Sequence, residues 1–583
     1  MIPKRKKYDS ANTPKDIQMT ILGIHVGHDS SAAIIVDGKI IADVQEERFN
    51  RVKHSGDTPL NAIHYCLEAA GLESINDVDY VSIPWLQIPD GLKTIFNIPE
   101  SFNWKQRIFR KVFKLMFRSP FDTNWLRTPI YKVTFDQYEG QIHSYDHHLC
   151  HAASAYYTQA DNDKHLIFTI DGIGDNTCTA VWLAEGSQIT PLKKYGTEAA
   201  IGWAYSLVTE GLHWIHGDGE GKTMGLAPYG DYKACKGQLD GFFPLFEGTT
   251  LKKEVDLGPP YVWNEKGASQ YHLTKASEIE KLVQKYGKEN IAAEAQRKLE
   301  ETVSELVKGW VDQTGLKKVC FAGGVMLNVK LNQRLWNNRA SNGIEKQHIY
   351  PNPGDSGVAV GAALLEYYKH HSFEGGTLES LYGGPEYSNE EVEKQLQLSK
   401  LKYQLLDDPA KTAAQLLSEN KIIGWFQGRM ESGPRALGNR SILMSPLTKE
   451  NKAILNERVK FRESFRPFCP SLLLESKDKY LLDSKDEFFM MTSFNCVECK
   501  RNEIPAVVHE DGTLRPQLVK KEQNPLFWQL IKEFETITGE SIVLNTSMNV
   551  MGEPIVNTPS DAIKCFYSAG IDALFMGNFL IIK

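Results

Sequence analysis

Short apolar runs that end on glycine, aspartate or histidine recur along most of the chain. Ile21 to Ile24 is the first, and it ends in the polar turn His25-Val26-Gly27-His28-Asp29-Ser30-Ser31. The runs Ile34-Ile35-Val36 and Lys39-Ile40-Ile41-Ala42 flank Asp37-Gly38. Asp-Gly between two β-rich runs is a strong hairpin signal. The start is therefore expected to be strand, polar turn, strand, hairpin, strand. Further strands are expected at Leu166 to Ile170, Val319 to Ala322, Ile422 to Trp425 and Ile542 to Leu544, with a strand-like run at Val507-Val508. Between them lie helical patterns at 147–156, 294–307, 359–364 and 452–459. Strands alternating with helices predict an α/β architecture.

One amphipathic pattern stands apart. Phe109, Val112, Phe113 and Met116 fall at helical spacing, with Arg107, Arg110, Lys111, Lys114 and Arg118 between them. This predicts a basic amphipathic helix. It is open between a helix packed on its domain with the cations outward and a membrane-surface or partner helix. Glycine and serine accumulate at 370–387, which places a domain boundary there.

Composition narrows the class. The 583 residues carry 42% hydrophobic and 24% charged side chains, as a soluble globular protein does. A net charge of −7 argues against general nucleic-acid affinity. Nine scattered cysteines without a framework point to reduced thiols and a cytoplasmic setting. Cys496 and Cys499 form a lone CxxC pair, too few ligands for a four-ligand zinc site. Residues 1–16 are basic and polar with no apolar stretch behind them, so they read as a disordered leader and not a signal peptide. No run reaches transmembrane length.

Candidate chemistry sits at the ends of the apolar runs. If residues 147–156 are helical, His147 and His151 stand at i and i+4 on one face, close enough to share a metal. Asp171, at a strand end beside glycines, suits a metal or phosphate contact, or simply an Asp-Gly turn. Gly323 and Gly324 follow a strand and precede a helix, a position that admits a nucleotide. The turn 350–357 holds Asp355. Residues 217–230, GDGEGKTMGLAPYG, resemble a P-loop, but the strand that motif requires does not precede them. They are expected to be a mobile loop with Lys222 aimed at an anion. Residues 429–441 put Arg429, Arg435 and Arg440 with Glu431, Asn439 and two glycines into one stretch. Guanidinium forks match phosphate and carboxylate oxygens, so this reads as an anion-binding loop.

Ten motifs in order carry a resemblance: GHDSSA, HHLCHAASAY, DGIGD, GEGKTMGLAPYG, GGVMLN, PGDSG, RMESGPRALGNRS, FRPF, DGTLRPQ and LNTSMNVMGEPIV. From about Ile21 to Lys583 the chain resembles the ATP-dependent O-carbamoyltransferases of the antibiotic and nodulation type. The resemblance implies an actin- and sugar-kinase-like domain over 17–368, a linker over 369–400 and an α+β, YrdC-like domain over 401–583. It implies that carbamoyl phosphate and ATP form carbamoyladenylate in the C-terminal domain, and that the carbamoyl group then passes to a hydroxyl in the N-terminal domain. Arg435, Lys460, Arg466 and Arg515, with Asn545 and Ser547, would hold carbamoyl phosphate and the triphosphate. His147, His151, Asp171 and Asp355 would bind a divalent metal, expected as Fe(II), with Mn(II), Zn(II) or Mg(II) as alternatives. Gly323, Gly324 and Asn328 would accept the adenosine. His28 would be the general base on the acceptor hydroxyl, or a helper that only hydrogen-bonds the ligand. Lys222 would neutralise phosphate or hold the acceptor.

The implied partners are therefore small molecules: carbamoyl phosphate, ATP and a hydroxylated acceptor. No nucleic acid and no membrane span is expected, and a homodimer is left open. Two other readings compete. One is a threonylcarbamoyl transferase acting on tRNA, against which the acidic balance argues. The other is a non-catalytic nucleotide-binding protein, against which the full set of candidate site residues argues.

Overall fold

Two five-stranded sheets of the same strand order make up the N-terminal part of the molecule. The structure is a computed structural model and describes residues 18–87, 138, 140–257, 262–263 and 271–583. The leader 1–16 and the basic stretch 104–118 lie outside the described residues.

In the first sheet, Thr20–His25, Ser31–Val36 and Lys39–Gln45 form an antiparallel meander. Asp37 and Gly38, both at positive φ (49° and 77°), make the two-residue hairpin turn expected there. Thr20–His25 also pairs in parallel with Tyr80–Ile83, which pairs in parallel with Ile142–Ser144. The second sheet repeats the plan. His165–Gly174, Thr177–Glu185 and Gln188–Tyr195 form the meander, and His165–Gly174 pairs in parallel with Lys318–Ala322, beside Lys346–Ile349.

The helices His147–Gln159 and Val358–Tyr368 pack on one another between these sheets. Their facing positions are small: Ala152, Ala153, Ala155, Ala359, Ala362 and Ala363 are all fully buried. Small side chains let the helix backbones approach closely. The same core takes Ile21, Ala33 and Ile35 from the first sheet and Ile167, Ala180 and Trp182 from the second. Burying each of the larger aliphatic or aromatic side chains contributes about 1.5–3 kcal/mol. The consequence for function is positional: both helices begin where strand ends of both sheets converge.

The C-terminal part is built on an eight-stranded mixed sheet, centred on Ile423–Phe426, Arg440–Met444 and Ile542–Ser547. Helices Pro409–Ser418 and Pro525–Thr538 cover one face through Ala410, Ala414, Leu530 and Phe534. The stretch expected as a linker, 369–400, is only partly one. Residues 369–388 hold no helix or strand, but Asn389–Leu398 is a helix, and its Val392 and Leu396 are buried in the C-terminal core. A Ser388–Glu391 capping box starts it. Val507-Val508 is not a strand; short strands follow at Thr513–Leu514 and Gln517–Val519.

The two parts are closely joined. Arg48 donates to the Gly433 carbonyl (2.6 Å), Arg429 to the Ile41 carbonyl (2.9 Å), and Ser432 to the Asp43 carbonyl. The loop expected to bind anions is thus anchored on the third strand of the first sheet and the short helix after it.

Candidate functional site

His147 and His151 lie on the first two turns of helix His147–Gln159, whose N-terminus is capped by Asp146 accepting from the Leu149 N–H (2.9 Å). Asp171 sits in strand His165–Gly174, where the pairing register shifts between Ile170 and Gly174. Asp355 opens the turn that leads into helix Val358–Tyr368. These three segments bring four ligand atoms together. His147 Nε2 and His151 Nε2 are 3.2 Å apart, and each is 3.5–3.6 Å from Asp171 Oδ2 and Asp355 Oδ1. Gly174 makes room for this: a Cβ there would lie 2.1 Å from His147 Cδ2. The Gly324 N–H donates to Asp171 Oδ1 (2.8 Å) and orients that carboxylate.

All four ligand atoms lie within 4.8 Å of one another, and both imidazoles are buried. Ligands held at about 2.1 Å from a tetrahedral ion stand about 3.4 Å apart, close to the separations seen. Two imidazole nitrogens and two carboxylate oxygens form a donor set for a divalent ion. The group could hold a metal. Burial would depress His147, yet the Asp355 and Asp171 carboxylates outweigh it and raise it to about 10. The same imidazoles hold Asp171 well below the usual carboxylate range, against the effect of burial. The neighbouring His148 plays no part in this set. It is buried, pushed down to about 3 chiefly by desolvation, and bonded to Thr169 Oγ1 and the Thr177 carbonyl.

His28 stands at the mouth of the same region, in the turn between the first two strands. Its Nδ1 is 3.0 Å from Asp29 Oδ2, and its side chain is 52% exposed, so its Nε2 is left to other partners. His25, at the end of the first strand, reaches the His28 carbonyl (2.9 Å) and stacks on Trp85, which stacks on His147. Burial pushes His25 down to about 4.

The C-terminal cations divide into two kinds. Arg440 is fully buried and donates to the carbonyls of Gln427, Gly428, Asn439 and Pro385, with its guanidinium 3.8 Å over Phe426. Arg429 donates to the carbonyls of Gly383, Gly384 and Ile41. These two shape the loop. Glu431 finishes it: its Oε1 accepts from the N–H groups of Leu437, Asn439 and Arg440 at 2.7–3.1 Å. Glu431→Ala is expected to lower stability by about 3 kcal/mol, because it leaves buried donors unpaired; a urea unfolding midpoint measures this.

Arg435 is different. Its Nε is buried without a partner, as that of Arg440 is too, but among the described residues no carbonyl accepts from its guanidinium. Burial, then the nearby charges of Arg515 and Arg466, push it down to about 9. Arg462 is lowered to about 9 in the same way, by burial and then Arg466. Arg515 rests its Nε on Cys469 Sγ (2.7 Å), and Arg466 has Glu463 at 4.0 Å. Asn545 Oδ1 is buried without a partner, while its Nδ2 reaches Ser471 Oγ (2.9 Å). Like charges crowded at partly buried positions are unfavourable until an anion joins them. This arrangement can bind phosphate groups.

Several sequence expectations need correcting. Residues 217–230, expected as a mobile loop, are largely regular: Glu220–Leu226 is a helix followed by the turn Ala227–Tyr229, with Thr223 and Leu226 buried. Lys222 on it pairs with Glu463 (3.2 Å) from the C-terminal part and not with a bare anion site. Lys460 is occupied by the Ser547 carbonyl, the Asn549 carbonyl (3.1 Å) and Asn549 Oδ1 (2.8 Å), and burial pushes it down to about 7. It holds the 547–549 turn in place. Ser547 Oγ donates to Asn549 Oδ1 (2.7 Å). Asn328 caps helix Val329–Asn337 and exchanges hydrogen bonds with Gln296. Gly323 is required by packing, since a Cβ there would lie 2.2 Å from the Ile170 carbonyl oxygen. Sequence reasoning missed Asp29, His54, Asp218, Arg462 and Trp85. Asp29 and His54 neighbour residues already in view, but only the fold shows that they touch.

Among the described residues, no helix is long and apolar enough to cross a membrane, and all nine cysteines are free. The chain matches the family described as carbamoyltransferase N-terminus over residues 20–364, and that described as carbamoyltransferase C-terminus over 414–583. An uncharacterised protein of Synechocystis sp. is 33% identical over 97% of this chain and 96% of its own length. The nodulation protein NolNO of Sinorhizobium fredii is 33% identical over 95% of this chain and 79% of its own. A solved structure, component A of the (R)-2-hydroxyglutaryl-CoA dehydratase of Acidaminococcus fermentans, aligns with 60% of this chain and 98% of its own at 17% identity. Its TM-score of 0.31 is too low to bear on the site.

Proposed function

This chain belongs to the carbamoyltransferase family of enzymes, and on that premise we propose that it is an ATP-dependent O-carbamoyltransferase with two separate sites. The observation that carries the reading is the crowded cation cluster around Arg435, on one part of the chain, together with the His147–His151–Asp171–Asp355 set on the other. The repeated strand order of the two N-terminal sheets supports an actin- and sugar-kinase-like first module over residues 17–368. The second, YrdC-like module takes in helix Asn389–Leu398 and runs to Lys583.

In the second module Arg435, Arg466 and Arg515 hold carbamoyl phosphate and the triphosphate of ATP, with Arg462 beside them. Water hydrolyses carbamoyl phosphate to carbamate and inorganic phosphate. The carbamate oxygen then bonds to the α-phosphorus of ATP, and pyrophosphate leaves. Fixed cationic donors around developing phosphate charge are the expected catalytic device. Carbamoyladenylate reaches the first module, where the turn at Gly323 and Gly324 lies beside its adenosine. A divalent ion held by His147, His151, Asp171 and Asp355 would supply Lewis-acid neutralisation of the adenylate phosphate. The acceptor hydroxyl attacks the carbamoyl carbon, its proton passes to His28 Nε2, and AMP leaves. Lys222 stands between the modules through its pair with Glu463.

The acceptor is a hydroxyl of a sugar or secondary metabolite, so a panel of hydroxylated sugars and metabolites is the first probe. His28→Ala is expected to keep carbamoyl-phosphate-dependent pyrophosphate release and to lose transfer of label from carbamoyl phosphate to an acceptor, by about 10²–10⁴-fold. Loss of pyrophosphate release in this variant would refute the separation of the two sites.

A further inference from the structure

The residues behind His28 form a chain of alternating acid and imidazole. Asp29, at φ 60°, occupies the left-handed region that aspartate tolerates better than most residues. In that conformation its two carboxylate oxygens face different rings. Oδ2 meets His28 Nδ1 at 3.0 Å, and Oδ1 meets His54 Nδ1 at 2.8 Å. The two imidazoles stack, with centroids 5.0 Å apart and planes 21° from parallel. His54 is held from its other side by Asp218 Oδ1 (3.4 Å), which Lys53 also contacts. The His54 backbone N–H donates to Glu47 Oε2 (2.8 Å), and Glu47 pairs with Arg48 (2.8 Å). Segments 28–29, 47–54 and 217–218 thus meet at one point.

We propose that Asp29 is the positioning residue of His28: it fixes the neutral ring with its proton on Nδ1 and its lone pair on Nε2 directed outward, while His54, anchored by Asp218, holds Asp29 and balances its charge. This rests on the reading of His28 as the acceptor base and adds what sets its tautomer and basicity. A ring that donates from Nδ1 to a carboxylate must accept at Nε2. Without that bond, either nitrogen could carry the proton, and the base would face the acceptor part of the time with an N–H.

The charges support the assignment. Desolvation lowers the His28 value, but the Asp29 carboxylate, by hydrogen bond and by charge, more than offsets this and raises it above the ordinary 6.5. His54 opposes that rise, and Asp355 adds to it. His54 itself is raised to about 10: burial works against it, Asp218 and Asp29 prevail, and Lys53 subtracts a little. It therefore stays cationic around neutral pH. The two imidazoles hold Asp29 well below the usual carboxylate range, so it stays ionised. His28 is pulled in opposite directions by Asp29, which raises it, and His54, which lowers it.

That opposition gives a test that a merely structural role would not pass. The full-length protein is prepared with nitrogen-labelled histidine, and the His28 imidazole is followed by NMR through a pH titration, its signal identified by its loss in His28→Ala. In the wild type, the neutral ring is expected as the Nδ1–H form with a midpoint above 6.5. Asp29→Asn is expected to lower the midpoint and to bring in the Nε2–H form. Asp29→Glu should restore the Nδ1–H form at least in part. His54→Gln is expected to move the midpoint the other way, upward, since a stacked cation is lost. Pyrophosphate release, at the other site, reports that each variant is folded. A midpoint and tautomer unchanged in Asp29→Asn, or both variants shifting in the same direction, would overturn the proposal. If His28→Ala instead kept full carbamoyl transfer, the base reading would fail while these NMR results stood, so the two failures are distinguishable.

Discussion

Arg435→Ala is expected to reduce carbamoyl-phosphate-dependent pyrophosphate release from ATP by about 10³-fold or more, the scale on which a single arginine acts on phosphoryl charge. Arg429 and Arg440, in the same loop, have their guanidiniums bonded to backbone carbonyls. Arg435 has no such bond among the described residues, and it faces Arg515 and Arg466. Such a group costs the free protein stability through repulsion and desolvation, and it is repaired by an anion. Truncation should therefore leave the ligand-free protein as stable as before or slightly more so. A thermal unfolding curve without ligand checks this, and the stabilisation that ATP gives the wild type should shrink in the variant. A sharp loss of stability without ligand would instead mark Arg435 as a structural residue like Arg440.

Asp171→Asn is the second large effect. The change keeps the shape of the side chain and its acceptor for the Gly324 N–H, but it removes one of two carboxylates from the donor set. It should abolish stoichiometric metal in elemental analysis. It should lower carbamoyl transfer by about 10³-fold, which corresponds to several kcal/mol of lost charge stabilisation. Pyrophosphate release should persist, because the cations that support it belong to other segments. Metal content unchanged in this variant would remove Asp171 from the ligand set.

Local pattern made part of this molecule legible. The Asp37-Gly38 hairpin follows from turn chemistry, and the strands around it from their apolar runs. The helical phase of His147 and His151 follows from their four-residue spacing. What resisted sequence reading depends on distant partners. Lys460 looks like a phosphate ligand until the oxygens of Ser547 and Asn549, nearly ninety positions later, are found around it. Arg429, Arg435 and Arg440 are chemically alike in sequence. They differ only in how many carbonyls the folded loop turns toward each. Residues 217–230 read as a mobile loop because they resemble a P-loop without its strand, and glycine is a poor helix former. Burial of Thr223 and Leu226 overrides that preference. Asp29 and His54 are 25 residues apart, and their contact exists only because the first polar turn and the segment after the third strand meet.

The central claim is that one chain both activates and transfers a carbamoyl group, and the most direct measurement is pyrophosphate release from ATP by the purified wild-type protein with and without carbamoyl phosphate. The account predicts release that depends on carbamoyl phosphate and proceeds without any acceptor, because activation occurs at the Arg435 site before transfer. No release, or release equally fast without carbamoyl phosphate, would contradict it.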